Sequence, residues 1–120
     1  MEKIPCICMM SDLCRAMAEL ENNLTIIYDI SLNEAMVLCC IGGDRVAAGE
    51  IAQATRLKAS HLSKVLRLLE DKGFLQRDLG ERDKRQMYFS LTNEGTLCLT
   101  RLKQEGLPIP EFLGKLFEGS

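Results

Sequence analysis

Residues 59–91 run Ala59-Ser60-His61-Leu62-Ser63-Lys64-Val65-Leu66-Arg67-Leu68-Leu69-Glu70-Asp71-Lys72-Gly73, then Phe74-Leu75-Gln76-Arg77-Asp78-Leu79, then Gly80-Glu81-Arg82-Asp83-Lys84-Arg85, then Gln86-Met87-Tyr88-Phe89-Ser90-Leu91. The period of the apolar residues changes inside this segment. Leu62, Val65, Leu66 and Leu69 fall at i, i+3, i+4 and i+7, one face of a helix that Gly73 closes as its C-terminal cap. Residues 74–79 and 86–91 read as two strands, and the polar run 80–85 between them makes a hairpin with a long charged tip. Just upstream, Gly49 to Thr55 predicts a short helix with Ile51, Ala52 and Thr55 inward, followed by the turn Arg56-Leu57-Lys58. Two short helices followed by a hairpin form a helix-turn-helix with a wing.

Working outward, Ser31-Leu32-Asn33-Glu34 has the Ser and Glu spacing of a capping box and opens a helix through Ile41 that stops at Gly42-Gly43. Before it, from Met9 or Met10, the residues Met10, Leu13, Met17, Leu20, Leu24 and Ile27 recur at spacings of 3, 4, 3, 4 and 3, a long helical seam. Cys14, Ala18 and Tyr28 widen the apolar arc beyond what a lone surface helix requires, so this helix packs on more than one neighbour. Past the hairpin, Thr92 caps a further helix to about Glu105, and Gly106-Leu107-Pro108-Ile109-Pro110 breaks it. Pro110 starts a short last helix with Phe112, Leu113, Leu116 and Phe117 on one side. The expected fold class is mainly α with a small β-hairpin wing (α+β), as one domain over residues 1–120.

Composition narrows the function. The 120 residues are 47% apolar and 27% charged, which fits a folded domain rather than a disordered chain. The longest apolar run, Ala35 to Ile41, is far short of the ~20 residues a membrane helix needs. The first ten residues make a poor secretory signal, and the six cysteines are expected to be thiols, so the expected compartment is the cytosol, with no membrane partner. Net charge is −2, but it is unevenly spread: residues 1–44 hold two bases against seven acids, residues 45–88 ten bases against six acids. Segment charge decides whether a surface attracts phosphate, and the middle of this chain does.

Opposite its apolar face, the helix over 59–72 presents Ser60, Lys64, Arg67 and Asp71, with His61 and Ser63 at the edges. Short hydroxyls and bases at the start of an exposed helix suit the DNA major groove, where bases reach guanine edges or phosphates. At the hairpin tip, Arg82, Lys84 and Arg85 lie beside Asp83. Such a tip can lay an arginine into a minor groove, and Asp83, two residues before Arg85, is placed to orient it. No pairing of nucleophile and base, no Gly-rich phosphate loop and no paired carboxylates on a cleft are present, so neither an enzyme nor a cofactor is expected. His61 is the single histidine, which rules out a multi-histidine metal site within one chain.

Residues 31–95 resemble the winged helix-turn-helix of the MarR family of transcriptional regulators. The likeness runs through Leu32-Asn33-Glu34, Gly49-Glu50-Ile51-Ala52, Leu57 to Leu66, Leu69 to Arg77, Asp83-Lys84-Arg85 and Leu91-Thr92-Asn93-Glu94-Gly95. The D-x-R wing followed six residues later by L-T-x-x-G is its most specific part. It departs from the family where Lys58 and Ala59 replace the usual Ser or Thr cap and Pro of the recognition helix.

The resemblance implies a homodimeric repressor that binds double-stranded DNA at a pseudo-palindromic operator, with a small-molecule effector as a further partner. Lys58, Ser60, His61, Ser63, Lys64 and Arg67 would serve the recognition helix, and Arg82, Lys84 and Arg85, oriented by Asp83, the wing. Residues 1–30 and 92–120 would supply dimerisation helices around a DNA-binding lobe over 31–91. Leu13, Met17, Leu20, Leu24, Phe112, Leu113, Leu116 and Phe117 would bury against the second chain. Cys14 would be a redox thiol, as in relatives with a reactive cysteine in the first helix.

Two alternatives stand beside this reading. An ArsR-like metal or redox sensor would use the soft thiolates of Cys6, Cys8 and Cys14, with Cys6 and Cys8 in a loose terminus. A winged-helix docking module that does not bind DNA would have no need of the basic wing tip, and its binding would not fall steeply with salt.

Overall fold

The computed structural model of the chain describes residues 2–80 and 86–117, with side chains through residue 114. Arg82, Asp83, Lys84 and Arg85, and the side chains of Leu116 and Phe117, therefore lie outside the described residues. The elements are α1 (Pro5–Tyr28), α2 (Leu32–Ile41), β1 (Val46–Ala47), α3 (Ala48–Thr55), α4 (Ala59–Asp71), β2 (Leu75–Leu79), β3 (Met87–Leu91), α5 (Asn93–Glu105) and α6 (Glu111–Phe117). They fall into two compact units, one of residues 32–105 and one of residues 1–31 with residues from 106 onward.

In the first unit, the i, i+3, i+4, i+7 pattern of α4 does what its spacing predicts: Leu62, Val65, Leu66 and Leu69 are buried. They join Val37, Leu38 and Ile41 of α2, Ile51 of α3, Leu75 and Phe89 of the strands, and Cys98 and Leu99 of α5 in one core. The left-handed conformation of Arg56 ends α3, with its N–H returned to the Ala52 carbonyl at 2.8 Å. Gly73, at φ +80°, ends α4 in a paired-hydrogen-bond turn: Gly73 N–H donates to Glu70 O and Phe74 N–H to Leu69 O, each at 2.9 Å.

The chain then enters a three-stranded antiparallel sheet of order β1-β3-β2. The hairpin pairs Leu75 with Leu91 through to Leu79 with Met87, and β1 adds Val46 opposite Phe89 and Ala47 opposite Tyr88. The β1 strand is absent from the sequence reading.

Thr92 caps α5 as expected, its hydroxyl accepting the Gly95 N–H at 3.1 Å while donating to Gly73 O. The sequence reading groups residues from 92 onward with the flanking helices, but α5 belongs to the winged-helix unit. Its first turn lies so close to the backbone of Phe74 that a Cβ on Gly95 would fall 2.1 Å from the Phe74 carbonyl oxygen.

In the second unit, α1 begins at Pro5, not at Met9 or Met10. Proline there fills the first helical turn, where its missing N–H is no loss. Cys6 and Cys8 are consequently helical and not in a loose terminus. Asp29, left-handed at φ +56°, ends the helix. The Tyr28 hydroxyl donates to Gly106 O, and Asn23 Nδ2 donates to Pro108 O at 2.9 Å, so the break after α5 is tied to α1.

Two residues expected at a dimer interface are instead covered by their own chain: Leu24 is 3% and Leu113 2% exposed. Leu24 lies in the helix-seam pattern and Leu113 one turn into α6; such a pattern shows that a face is apolar without showing what covers it. Leu13 and Phe112 remain exposed, and Met17 and Leu20 are half-buried. Among the described residues no single helix is long and apolar enough to cross a membrane.

Candidate nucleic-acid interface

The candidate interface is the outward side of α4 with the base of the hairpin beside it. With its apolar face buried, α4 leaves Ser60, His61, Ser63, Lys64 and Arg67 exposed, all of them residues singled out from the sequence. Lys58 occupies the N-cap position in extended conformation and makes no side-chain cap, which leaves backbone N–H groups of the first turn open to an anion. Ser63 donates its hydroxyl to Ala59 O at 2.9 Å, so its oxygen faces outward as an acceptor. The His61 ring nitrogen lies 3.4 Å from the Asn33 amide nitrogen of α2.

Three carboxylates beside this surface are held by bases other than those of α4's exposed face, while Asp71 of α4 is exposed with no ion pair among the described residues. Glu34, buried, is held by Lys72 with Nζ 3.0 Å from Oε1 and 2.9 Å from Oε2. Glu70 takes Arg77 in a two-pronged pair, with Nε 2.8 Å from Oε2; this hydrogen bond raises the Arg77 pKa and fixes its positive charge. Asp78 takes Arg45, with Nε 2.9 Å from Oδ1 and 3.2 Å from Oδ2. No ion pair among the described residues involves Lys58, Lys64 or Arg67, so their charge is available to phosphate.

Sequence reasoning missed Arg45 and Arg77. Arg45 stands before a strand of two residues, too short to show a period, and its guanidinium stacks 4.0 Å from the centroid of Tyr88 while reaching Asp78 on β2. It fastens the edge of the sheet to the root of the wing. Arg77 pairs in register with Phe89 and lies over that ring at 5.7 Å. Together with Ser63, Arg67 and Met87 it lines a cleft of about 330 Å³ between α4 and the hairpin. Strand register together with the packing of α4 against the hairpin brings these residues together.

The hydrogen bond from Arg45 holds the Asp78 carboxyl below the usual aspartate range. A lowered carboxyl pKa gives a contribution that is complete above the ordinary value near ~4 and is lost as pH falls through the lowered one. The nuclear magnetic resonance shifts of the Tyr88 ring should therefore stay constant between about pH 5 and neutrality and move as the solution is made more acid. Movement near neutrality would mean that some other group controls the stack.

Cys6, Cys8 and Cys14 are all exposed on α1. Residues two apart on a helix point to nearly opposite sides, so the Cys6-Ile7-Cys8 motif does not chelate there. Among the described residues no three of His, Cys, Asp and Glu gather as metal ligands.

Comparison with known proteins agrees with this geometry. Residues 30–95 match the winged helix DNA-binding domain family. Over 78 residues the chain is 31% identical to the exopolysaccharide II synthesis transcriptional activator ExpG of Rhizobium meliloti, covering 65% of this chain and 40% of that protein. The chain spans less than half the length of the curated relatives it matches. The crystal structure of S. aureus MepR bound to DNA superposes with a TM-score of 0.76 at 19% identity, over 96% of this chain and 83% of that one. AbsC, a MarR family transcriptional regulator from Streptomyces coelicolor, gives 0.73 at 22% identity, over 89% and 80%. The chain belongs to the winged helix DNA-binding domain family and has the fold of the MarR-type regulators.

Proposed function

We propose that this protein is a MarR-type transcriptional repressor that acts in the cytosol as a homodimer on a pseudo-palindromic operator. The observation that carries the reading is the exposed α4 face, whose Lys64 and Arg67 have no ion pair among the described residues while Glu34, Glu70 and Asp78 are taken by Lys72, Arg77 and Arg45. In this reading α4 enters the major groove, Lys58 and the open first turn meet a phosphate, and Arg82, Lys84 and Arg85 follow the flanking minor groove. The fold's work is binding, with no catalytic step. A small-molecule effector would act by shifting the spacing of the two recognition helices. The exposed Ile7, Met10 and Leu13 on α1, with Phe112 on α6, supply apolar surface for the second copy.

Selection of bound DNA from a random pool tests this directly. It should return two inverted half-sites centred about 10 base pairs, one helical turn, or a multiple of that apart. If each subunit neutralises four or five phosphates, binding should fall with salt at a log–log slope of roughly −7 to −9 for the dimer. Lys64→Ala should flatten that slope by about one unit per subunit. Arg85→Ala should weaken binding by about 1–3 kcal/mol per subunit, and Asp83→Ala should weaken it too if Asp83 orients Arg85, despite the lost negative charge. A salt-independent interaction, or no enriched sequence from a protein that sediments as a monomer, would leave the docking-module reading in its place.

A further inference from the structure

Away from α4, a cleft of about 470 Å³ opens between α2 and α3 within the winged-helix unit. Leu32, Met36 and Ala54 give it apolar walls, and Cys39 and Cys40 stand side by side on its lining. Its volume lies in the range of small-ligand sites. The remaining polar side chain, Thr55, is already engaged: its hydroxyl donates to Ile51 O at 2.8 Å and accepts from Leu57 N–H at 3.4 Å. No charged side chain lines it. Sulfur is therefore the chemically distinctive group that an occupant would meet.

The two thiols are not equivalent. Cys40 is half-buried, and burial first, then the charge of Glu50 and the neighbouring Cys39, pushes its pKa up. It stays protonated near neutral pH. Cys39 is exposed at the same cleft and is the thiol that an incoming molecule reaches.

We propose that this cleft captures a small apolar α,β-unsaturated ketone, with Cys39 as the nucleophile. The Cys39 thiol gives its proton to water, and its Sγ forms a bond to the β-carbon of the ketone. The π pair of the carbon–carbon double bond moves toward the carbonyl as an enolate, and a proton from water then completes the α-carbon. The sum is addition of S–H across the double bond, with no oxidant or reductant required. The apolar walls favour this class over polar electrophiles because they remove the ligand's hydrocarbon surface from water before the bond forms.

The test compares two reagents of the same reaction class on the intact chain, read by peptide mass spectrometry without DNA. One is 4-phenyl-3-buten-2-one, which is apolar; the other is acrylamide, which is small and polar. Cys6 and Cys8, exposed on α1, serve as internal references. The rate at Cys39 relative to Cys6 and Cys8 should be about tenfold higher with the phenyl ketone than with acrylamide, the factor given by burying roughly 55 Å² of apolar ligand surface. Ala54→Leu, which puts bulk on the cleft wall, should abolish that preference, read as the ratio of the phenyl ketone rate to the acrylamide rate at Cys39. The same Cys39 ratio for both reagents, or a preference that survives Ala54→Leu, overturns the proposal. Neither result depends on whether the protein binds an operator.

Discussion

Gly95→Ala should lower the stability of the winged-helix unit by about 2–3 kcal/mol, the cost of forcing volume into a closed contact. For a unit of this size that is a fall in Tm of roughly 10–20 °C. The added Cβ would lie 2.1 Å from the Phe74 oxygen, 3.0 Å from its carbonyl carbon and 3.2 Å from its Cα, all backbone atoms that cannot rotate aside. Relief requires α5 to move off the strand, yet Thr92 N–H is bound to that same Phe74 oxygen at 3.1 Å and the Thr92 hydroxyl to Gly73 O. Gly49→Ala is the matched control. It sits inside α3 with nothing within 4 Å of the new Cβ, and it should gain up to about 1 kcal/mol from better helix propensity. Equal melting temperatures for the two variants would mean that the α5 contact is looser than described.

Lys72→Met should cost roughly 3 kcal/mol, because it strips the cation from a carboxylate whose side chain is only 5% exposed. The loss comes from the charge left behind more than from the bond removed, so removing that charge as well should restore most of it. Glu34→Gln combined with Lys72→Met is therefore expected to be more stable than Lys72→Met alone, by chemical denaturation at neutral pH. A double variant no better than the single one would place the effect in the packing of the lysine stem. The pair joins the first turn of α2 to the C-cap of α4, so a DNA-binding assay on the folded single variant also reports how far α4 depends on that tie.

What was legible in the sequence follows from what a local pattern can encode. Leu62, Val65, Leu66 and Leu69 lie at helical spacing on one element, and Thr92 caps a helix that starts at the next residue, so both were readable. The exposed set Ser60, His61, Ser63, Lys64 and Arg67 followed as the complement of the buried face. The two-residue strand β1 has no period to read and exists only because Phe89 and Tyr88 offer it partners. The pairing of Arg45 with Asp78 and of Arg77 with Glu70 depends on register and on a helix end meeting a strand, which no single run of residues contains. The apolar seam begins at Met10, so the residues that α1 adds back to Pro5 carry no part of its pattern. Leu24 and Leu113 were recognisable as apolar, but their cover was not.

Gly80 N–H donates to Gln86 O at 2.9 Å, and just below it the Arg45 guanidinium is clamped between Asp78 and the face of Tyr88. The described hairpin is thus closed at residues 80 and 86, which together make a gate. Chain inserted beyond such a gate adds little to the loop-closure entropy, about 0.6 kcal/mol for each doubling of length. Lengthening the chain between residues 80 and 86 should therefore leave the melting temperature of the lobe nearly unchanged.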